Sequence, residues 1–495
     1  MDTKALRQKI LDLAIRGKLV PQDPNDEPAE VLLERIREQK QQMLKEGKLK
    51  KKDIKNDTII FKGEDNLHYE KFQDGTVKCI ENEIPFELPE GWSWARLRDI
   101  CMMSAGKSKS TVQIKSEPFE GSYPCFGGNG VRGYVDEYNQ DGIFSIVGRQ
   151  GALCGNINIA IGKFYATEHA VVTTLFDGID FKWSNYILEA LRLNNYATGA
   201  AQPGLSVANI LNVFVPVPPT QEQDRIGNNV YESLKIVEAL EQEKIDLQKN
   251  IITAKTKILN LAICGKLVPQ DPNDEPASVL LERIRAEKEE LIKHGKIKRD
   301  KKESVIFKGD DNSYYGIHLP DSWNWASLRE IALSISDGSH NPPPNNGSGI
   351  PLLSAANIND NSILMNEISR WITNEEWKIE NKRTNIEVGD VLLTIVGSIG
   401  RSAVVQNNNH FALQRSVAVI KPCLINPLYL MHIVQSPQIQ KWLTDNSKGT
   451  AQKGIYLNAL SLMIIPIPPL AEQARIVELI HIAYKQLDLI SNALL

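Results

Sequence analysis

The stretch GKLVPQDPNDEPA occurs at residues 17–29 and again, letter for letter, at residues 265–277 of this 495-residue chain. It lies inside a longer repeat, because segments 9–37 and 257–285 are identical at 26 of 29 positions. The offset of 248 residues far exceeds the roughly 20 to 50 residues that mark a solenoid. The chain is therefore built from two copies of one large unit.

The repeat continues on both sides of a divergent segment in each copy. LPEGWSWARLRDI from Leu88 recurs as LPDSWNWASLREI from Leu319, and the exits PVPPTQEQDRI and PIPPLAEQARI follow one pattern. Between these borders, segments 102–197 and 332–446 are only weakly alike. Segments kept identical within one chain should meet identical surroundings, whereas the two divergent segments should meet different ones.

After each exit, apolar residues follow the three- and four-residue spacing of a helix. In the centre this pattern covers residues 221–262, about 60 Å of helix. The second copy stops at Leu495, which aligns with Ile245, and Met1 aligns with Lys249. The N-terminal residues therefore supply the half of the helix that the second copy lacks, and the repeat is circularly permuted. We expect two long helices packed antiparallel about an approximate two-fold axis, with the termini close together.

The repeated stretch itself contains a helix stop, a rigid loop and a helix start. Gly17 and Gly265 are placed to end a helix, and the prolines of VPQDP prevent its continuation. Asn25 or Asp26 is expected to cap the next helix, which starts near Pro28. A helix stop, a loop and a helix start need the glycine, the prolines and the capping residue, but not all thirteen residues. The identity of the two stretches is therefore explained either by docking of one kind of partner on both copies or by recent duplication. The docking hypothesis rests on side chains expected to be exposed in both copies: Gln22, Asp23, Glu27, Gln270, Asp271 and Glu275.

Each divergent segment begins at a Trp-x-Trp strand and contains short β-like runs broken by Gly and Asn. GRQG from Gly148 and GSIG from Gly397 are predicted to form equivalent tight hairpins. We expect an α+β fold with two globules, two long antiparallel helices that separate them, and a pseudo-two-fold internal repeat. The expected parts are a helical region 1–55, a globule 56–215, a central helical region 216–302, a second globule 303–465 and a C-terminal helix 466–495.

The loops of both globules are rich in side chains that suit base edges. Arg pairs well with guanine, and Asn or Gln with adenine, in the major groove. Any single one is more often an ordinary surface or turn residue, so the hypothesis rests on the group. The candidates for DNA binding are Lys107, Lys109, Asn129, Arg132, Arg149, Gln150, Lys163 and His169 in the first globule, and His340, Asn341, Asn346, Arg401, Gln414 and Arg415 in the second.

The net charge of −4 argues weakly against nucleic-acid binding, but the distribution of charge matters more than its sum. Basic clusters lie within residues 45–55 and 293–302, and each alone is best interpreted as a solvated helix end and linker. Six cysteines occur without a Cys-x-x-Cys pair, so neither a metal site nor a disulfide framework is predicted. No apolar run approaches the roughly 18 residues of a membrane span and the N-terminus is unlike a signal peptide, so we expect a cytoplasmic protein.

Three partial catalytic motifs fail. GNGVRG at residues 128–133 leads into a strand-like run, whereas phosphate binding needs a helix N-terminus there. GKS at residues 106–108 lacks the first glycine of a P-loop, and NPPP at residues 341–344 lacks the aromatic residue of the amino-methyltransferase motif. No catalytic residues are predicted, and the residues indicate a binding protein.

The complete pattern resembles that of the specificity subunits of type I restriction-modification systems. The resemblance covers essentially the whole chain and is carried by the two PPxxEQxRI exits, by GRQGALCGN and FYATEHAVV in the first globule, and by KILDLAIRGKLVPQ in the repeat. It implies that each globule is a target-recognition domain for one half of a bipartite DNA target, with the helices setting the spacer. It also implies two methyltransferase subunits docked at the repeated regions, together with motor-nuclease subunits. S-adenosylmethionine, ATP and magnesium would then act on those partners, and the chain itself would need no cofactor.

Two other functions remain open from the residues alone. A coiled-coil scaffold with two protein-binding globules accounts for the helices and the acidic pI, but not for loops rich in Arg, Asn and Gln. A self-sufficient restriction or methylating enzyme would require the chain alone to cleave or modify DNA.

Overall fold

The computed structural model describes residues 2–151, 153–199, 203–299, 313–449 and 453–494. They form two compact units, Met1–Lys244 and Ile245–Leu495. The boundary lies inside one long helix, Thr220–Ile263, which matches the predicted helix 221–262. Each half of that helix therefore belongs to a different unit, as the permuted repeat requires. The finer domain boundaries given above stay predictions.

The described residues of the first unit form six α-helices of its own and eleven strands. The helices are α1 (Thr3–Ile15), α2 (Ala29–Lys45), α3 (Lys51–Ile54), α4 (Leu97–Ile100), α5 (Phe181–Ala190) and α6 (Val207–Leu211), followed by the shared α7 (Thr220–Ile263). The strands are β1 (Ile59–Lys62), β2 (His68–Lys71), β3 (Val77–Cys79), β4 (Ser93–Arg96), β5 (Cys101–Ala105), β6 (Tyr123–Gly127), β7 (Gly130–Val135), β8 (Gln140–Gly148), β9 (Ile157–Ala166), β10 (Ala170–Leu175) and β11 (Phe214–Val217).

The second unit continues from α7 with the same kinds of element. Its helices are α8 (Ala277–Lys293), α9 (Leu328–Ile331), α10 (Asn374–Thr384), α11 (Pro427–Val434), α12 (Pro437–Asp445), α13 (Leu457–Leu460) and α14 (Leu470–Ala493). Its strands are β12 (Ser313–Tyr314), β13 (Ile317–His318), β14 (Asn324–Ser327), β15 (Ala332–Asp337), β16 (Ile350–Leu353), β17 (Ile358–Asn359), β18 (Ser362–Ile363), β19 (Trp371–Ile372), β20 (Val391–Thr394), β21 (Ser402–Val404), β22 (Ala412–Leu413), β23 (Val417–Pro422) and β24 (Ile464–Ile467).

The sheets of the two units follow one plan. The first unit has a six-stranded sheet in the order β5-β10-β8-β9-β6-β7, in which only β6 and β9 are parallel. The second unit has β15-β23-β20-β21 and β19-β16-β22, and β16 and β22 are again parallel. In each unit the Trp-x-Trp strand pairs with the proline-rich exit strand, with Trp94 opposite Pro216 and Trp325 opposite Pro466. The internal repeat and the α+β class are confirmed.

The repeated helices contribute the same apolar side chains to both cores. Leu11 and Ile36 are buried in the first unit, and Leu259 and Ile284 are buried at the equivalent positions of the second. These residues share one helix face with their apolar neighbours at three- and four-residue spacing, so the sequence pattern determines the buried face. The largest fully buried side chain in the first core is Trp183.

Helix pairs inside each unit confirm the permuted closure. The Thr3 hydroxyl donates to Glu241 over 2.6 Å and Arg7 lies 4.0 Å from Glu238, so α1 runs antiparallel to the first half of α7. In the second unit the equivalent of the Arg7 contact joins Lys255 of α7 to Asp488 of α14 over 2.5 Å. The N-terminal helix therefore plays in one unit the part that the second half of α7 plays in the other.

Two local predictions need correction. The strands after Gly148 and around Gly397 form equivalent hairpins, but eight residues separate β8 from β9 and seven separate β20 from β21, too many for tight turns; Ala152 lies outside the described residues. Gly17 does end a helix with φ +64°. The residue before α2 is Pro28, with no side-chain cap, because the Asp26 carboxylate instead pairs with Arg225.

No helix within the described ranges is long and apolar enough to cross a membrane.

Candidate nucleic-acid interface

The loops at one end of the first unit's sheet meet on one surface, which we call the first loop edge. It consists of residues 106–109, 127–132, 149–151, 153–156 and 167–169. The Arg149 amide donates to the His169 carbonyl over 3.1 Å, which ties two of these loops together. Gly148 packs directly on the backbone of Gly128, and a Cβ at Gly148 would overlap the Gly128 carbonyl. Backbone contacts between distant parts of the chain therefore fix the edge.

A concavity of about 590 Å³ opens at the first loop edge. Its lining combines glycine backbone, the apolar side chains of Val131 and Leu153, and four predicted side chains: Asn129, Arg132, Gln150 and His169. Asn129 accepts a hydrogen bond of 3.0 Å from Asn156, and Arg132 donates to the Thr111 hydroxyl over 3.3 Å. The structure thus brings together half of the predicted first-globule candidates around one depression.

The three lysine candidates of the first globule differ in what their side chains contact. Lys107 is exposed on the first loop edge, and its amide donates to the Ala166 carbonyl over 3.0 Å. Lys109 is withdrawn, because its ammonium lies 2.6 Å from Glu137 and the side chain is only 8% exposed. The hydrogen bond that Lys109 donates to the Glu137 carboxylate also raises the Lys109 pKa. Lys163 lies on β9 with its ammonium 4.6 Å from the centre of the Tyr138 ring. Lys107 and Lys163 are therefore exposed to a ligand, whereas Lys109 is not.

Several buried polar atoms near the first loop edge lack a partner. Within the described part of the chain, no hydrogen bond reaches Arg149 Nε, His169 Nδ1, Asn158 Nδ2 or Glu168 Oε2. Buried polar groups in folded proteins are nearly always satisfied, so such atoms call for a partner outside the chain or a water. The first loop edge therefore has unmet capacity both to donate and to accept hydrogen bonds.

The second unit forms an equivalent surface, the second loop edge, from residues 338–341, 354–357, 395–401 and 414–416. The Ile395 amide donates to the Ser416 carbonyl over 2.9 Å, which reproduces the bond from Arg149 to His169. The Gly338 amide donates to the Val417 carbonyl over 3.1 Å, as the Gly106 amide does to the Ala170 carbonyl. The same backbone frame therefore presents different side chains.

Four candidates of the second globule lie on this edge with free side chains. Asn341, Arg401 and Arg415 are exposed and Gln414 is partly exposed. Among the described residues, none of these four side chains makes a hydrogen bond or an ion pair. Such side chains can bind a ligand without first losing an internal partner.

The remaining two candidates are engaged within the unit. His340 Nε2 lies 2.8 Å from Asp337 Oδ2, and the Arg383 guanidinium binds the same carboxylate. Asn346 donates to the Ser348 carbonyl over 3.3 Å and so stabilises its own turn. Sequence reasoning overlooked Arg383 because it lies in the last turn of α10, far along the chain from His340.

A buried network connects the repeated loop, the Trp-x-Trp strand and the long helix of the first unit. The Glu222 carboxylate accepts from Trp92 Nε1 over 3.0 Å and from Gln22 Nε2 over 3.1 Å. One turn further along α7, Arg225 forms an ion pair with Asp26. Burial raises the Glu222 pKa, against the opposing effect of these two donors. The exit motif is therefore a structural clamp on the loop.

The second unit repeats this clamp bond for bond. Glu472 accepts from Trp323 Nε1 over 3.0 Å and from Gln270 Nε2 over 2.7 Å, and Arg475 lies 2.5 Å from Asp274. Burial raises the Glu472 pKa in the same way. The clamp therefore gives a structural reason, in addition to docking, for the same loop and exit-motif residues to occur in both copies.

The six candidate docking residues fall into two groups: two glutamines that take part in the clamps and four exposed acidic residues. Gln22 and its counterpart Gln270 point into the clamps of their own units. Asp23 is exposed and accepts from the Asn25 amide over 2.9 Å, which lowers the Asp23 pKa. Asp271 makes the same contact with Asn273, and the exposed Glu27 and Glu275 pair with Arg35 and Arg283. Docking through the four acidic residues stays a prediction.

The other charged and metal-binding possibilities add no second site. Among the described residues, no group of three or more His, Cys, Asp or Glu side chains is placed to hold a metal ion. In the basic cluster after α8, Arg299 pairs with Glu289 over 2.6 Å. Lys301 and Lys302 of that cluster lie outside the described residues.

Comparisons with known proteins agree with the two-unit architecture. A family model described as "Type I restriction modification DNA specificity domain" matches twice, at residues 89–257 and 320–494. The Type I restriction enzyme EcoEI specificity subunit of Escherichia coli is 27% identical over 582 residues, which covers 99% of this chain and 90% of the relative. The EcoAI specificity subunit of the same species is 30% identical over 420 residues, which covers 72% and 67%.

A solved structure shares the fold. A chain from a study of complex assembly and conformational transition of the type I R-M system matches with a TM-score of 0.51 and 17% identity. The match covers 83% of this chain and 94% of the solved one. At this identity the likeness concerns the fold alone.

Proposed function

This chain belongs to the type I restriction-modification DNA specificity family, and on that premise we propose that it is the subunit that selects the DNA target of such a complex. Each unit would read one half of a bipartite target with its loop edge. The chain would itself perform no chemistry, and cleavage and methylation would belong to other subunits.

One observation supports this proposal above all others. The two units share a clamp with the same bonds in both copies, yet their loop edges present different side chains on one backbone frame. Asn156 and Arg401 show this, because the Gly148 amide donates to the Asn156 carbonyl over 2.9 Å and the Thr394 amide to the Arg401 carbonyl over 2.9 Å. An asymmetric bipartite target requires such a conserved frame with variable readers.

We further propose that two methyltransferase subunits dock at the repeated regions and that motor-nuclease subunits join them. The exposed acidic residues of the two repeated loops are the proposed contacts. S-adenosylmethionine, ATP and magnesium would bind to those partners. Partner subunits would also supply much of the phosphate contact, which fits the net charge of −4 on this chain. A complex that acts on this DNA would work in the cytoplasm.

The long helices would set the spacing between the half-sites. Helix α7 has 44 residues, which at 1.5 Å per residue is about 65 Å. A rigid helix of this length can hold two readers at a constant separation, and the half-site spacing of a DNA target follows from that separation. Inserting a few residues into α7 should therefore change the spacer and leave the half-sites unchanged.

The test is a genome-wide methylation map of the host with and without this gene. We expect deletion to remove one bipartite methylated motif and to leave all others. Replacing segment 102–197 by a foreign recognition domain should then change one half of that motif only. An unchanged map in cells that express the partner methyltransferase would favour the scaffold function instead, and a purified chain that alone modifies or cleaves DNA would contradict the non-catalytic assignment.

A further inference from the structure

The three-residue turns that enter β10 and β23 have the same backbone conformation. The Thr167 amide donates to the Phe126 carbonyl over 3.0 Å, and the Gln414 amide to the Leu353 carbonyl over 2.8 Å. Each turn closes on itself in the same way, since the amides of Ala170 and Val417 donate to the carbonyls at the start of their turns over 3.0 Å. Residues 167–169 and 414–416 are therefore equivalent position by position.

The central residue of this turn carries opposite charge in the two units. It is Glu168 on the first loop edge and Arg415 on the second. Arg415 is among the DNA-binding residues predicted from the sequence, and Glu168 is not. The shared backbone shows that the two are counterparts.

Both side chains are short of partners. Glu168 Oε1 lies 3.4 Å from the Ser108 hydroxyl and 3.5 Å from His169 Nε2, both at the limit of hydrogen bonding. Glu168 Oε2 is buried and has no partner within the described residues. The Arg415 guanidinium is exposed and makes no bond there. The first turn therefore presents a carboxylate that is 38% exposed and held only by long contacts, and the second presents an exposed guanidinium without a partner among the described residues.

A carboxylate close to DNA is repelled by phosphates and is useful only where a base edge donates to it. In the major groove, Glu accepts from the N4 amino group of cytosine, whereas Arg donates two hydrogen bonds to O6 and N7 of guanine. We propose that Glu168 requires a cytosine in the half-site of the first unit and that Arg415 requires a guanine in the half-site of the second. This inference rests on the proposed function and names two residues that determine its specificity.

The test uses the full chain in complex with its methyltransferase subunits and a library of DNA duplexes with randomised half-sites. Methylated molecules are selected and sequenced for the wild type, Glu168→Gln and Arg415→Gln. The matched controls are Glu120→Gln and Lys378→Gln, which remove exposed charges of the same sign outside the two turns. Thermal unfolding of each variant shows that the fold is retained.

We expect each test variant to lose about tenfold or more in preference at one base position, because a well-made contact discriminates by about that factor. Glu168→Gln should relax one cytosine toward adenine, and Arg415→Gln should relax one guanine in the other half toward adenine. The controls should keep the wild-type motif. Unchanged base preferences in a folded variant, or a loss of methylation that is equal for all sequences, would overturn the inference, because phosphate contacts weaken binding uniformly. A wild-type complex without any preferred motif would overturn the proposed function as well.

Discussion

Alanine at Gly265 should destabilise the second unit far more than alanine at another left-handed glycine of the same unit. Gly265 has φ +63°, and a Cβ there would lie 2.5 Å from Pro320 Cγ, 2.7 Å from Pro320 Cδ and 3.3 Å from Trp323 Cζ2. Gly295 has φ +67° and open space around its Cβ position. The two variants share the conformational cost, and only Gly265→Ala adds the overlap.

The expected costs follow from these two contributions. A left-handed conformation at a non-glycine residue costs about 1 kcal/mol, so Gly295→Ala should lower the free energy of unfolding by about that amount. Overpacking a tight contact costs about 1–3 kcal/mol more, and a proline ring against a buried tryptophan cannot rotate away. Gly265→Ala should therefore cost about 2–4 kcal/mol. The first copy offers the same comparison, since Gly17 has φ +64° and meets Pro89, while Gly47 has φ +72° and meets nothing.

Hydrogen exchange followed by mass spectrometry is the suitable assay, because it reports the opening free energy of each unit separately. We expect Gly265→Ala to accelerate exchange in the core of the second unit about tenfold or more beyond the effect of Gly295→Ala. Equal effects of the two variants would show that the repeated glycine is not held by the Pro and Trp contacts. Docking or recent duplication would then be the stronger explanation of the conserved letters.

Three further predictions concern the clamp, an internal histidine and the loop edge. Trp92→Phe should cost about 2 kcal/mol in the first unit, measured by the same exchange assay, because it leaves one Glu222 oxygen buried without its donor; a cost below about 0.5 kcal/mol would contradict the clamp. Burial lowers the His432 pKa from 6.5 to about 4, so the unfolded chain takes up a proton first and stability falls as the pH drops from 6.5 to 4. This loss amounts to about 3 kcal/mol, and thermal unfolding of His432→Phe should show a correspondingly weaker pH dependence. In DNA binding by the assembled complex, Lys107→Gln should reduce the salt slope by about 1, whereas Lys109→Gln, whose ammonium is already paired, should leave it unchanged.

The sequence predicted the group of residues from which the candidate site is drawn, but not which members of that group are available to a ligand. The base-reading candidates came from residue type and from their place in polar loops, and several do lie on the two loop edges. Lys109 and Lys107 illustrate the limit, because they stand two positions apart and have the same chemistry. Tertiary contacts distinguish them, because the Lys109 ammonium lies near the carboxylates of Glu137 and Asp136, which belong to another part of the chain.

The repeat, the two units and the long shared helix were determined by the sequence alone, because they depend on local and periodic features. A glycine followed by prolines ends a helix wherever it occurs, and apolar residues at helical spacing select a buried face. The clamp of Glu222 with Trp92 and Gln22, and the equivalence of Glu168 with Arg415, were decided by the tertiary structure. Their hydrogen bonds join residues that are far apart in the chain, and no local pattern specifies which distant donor meets which acceptor.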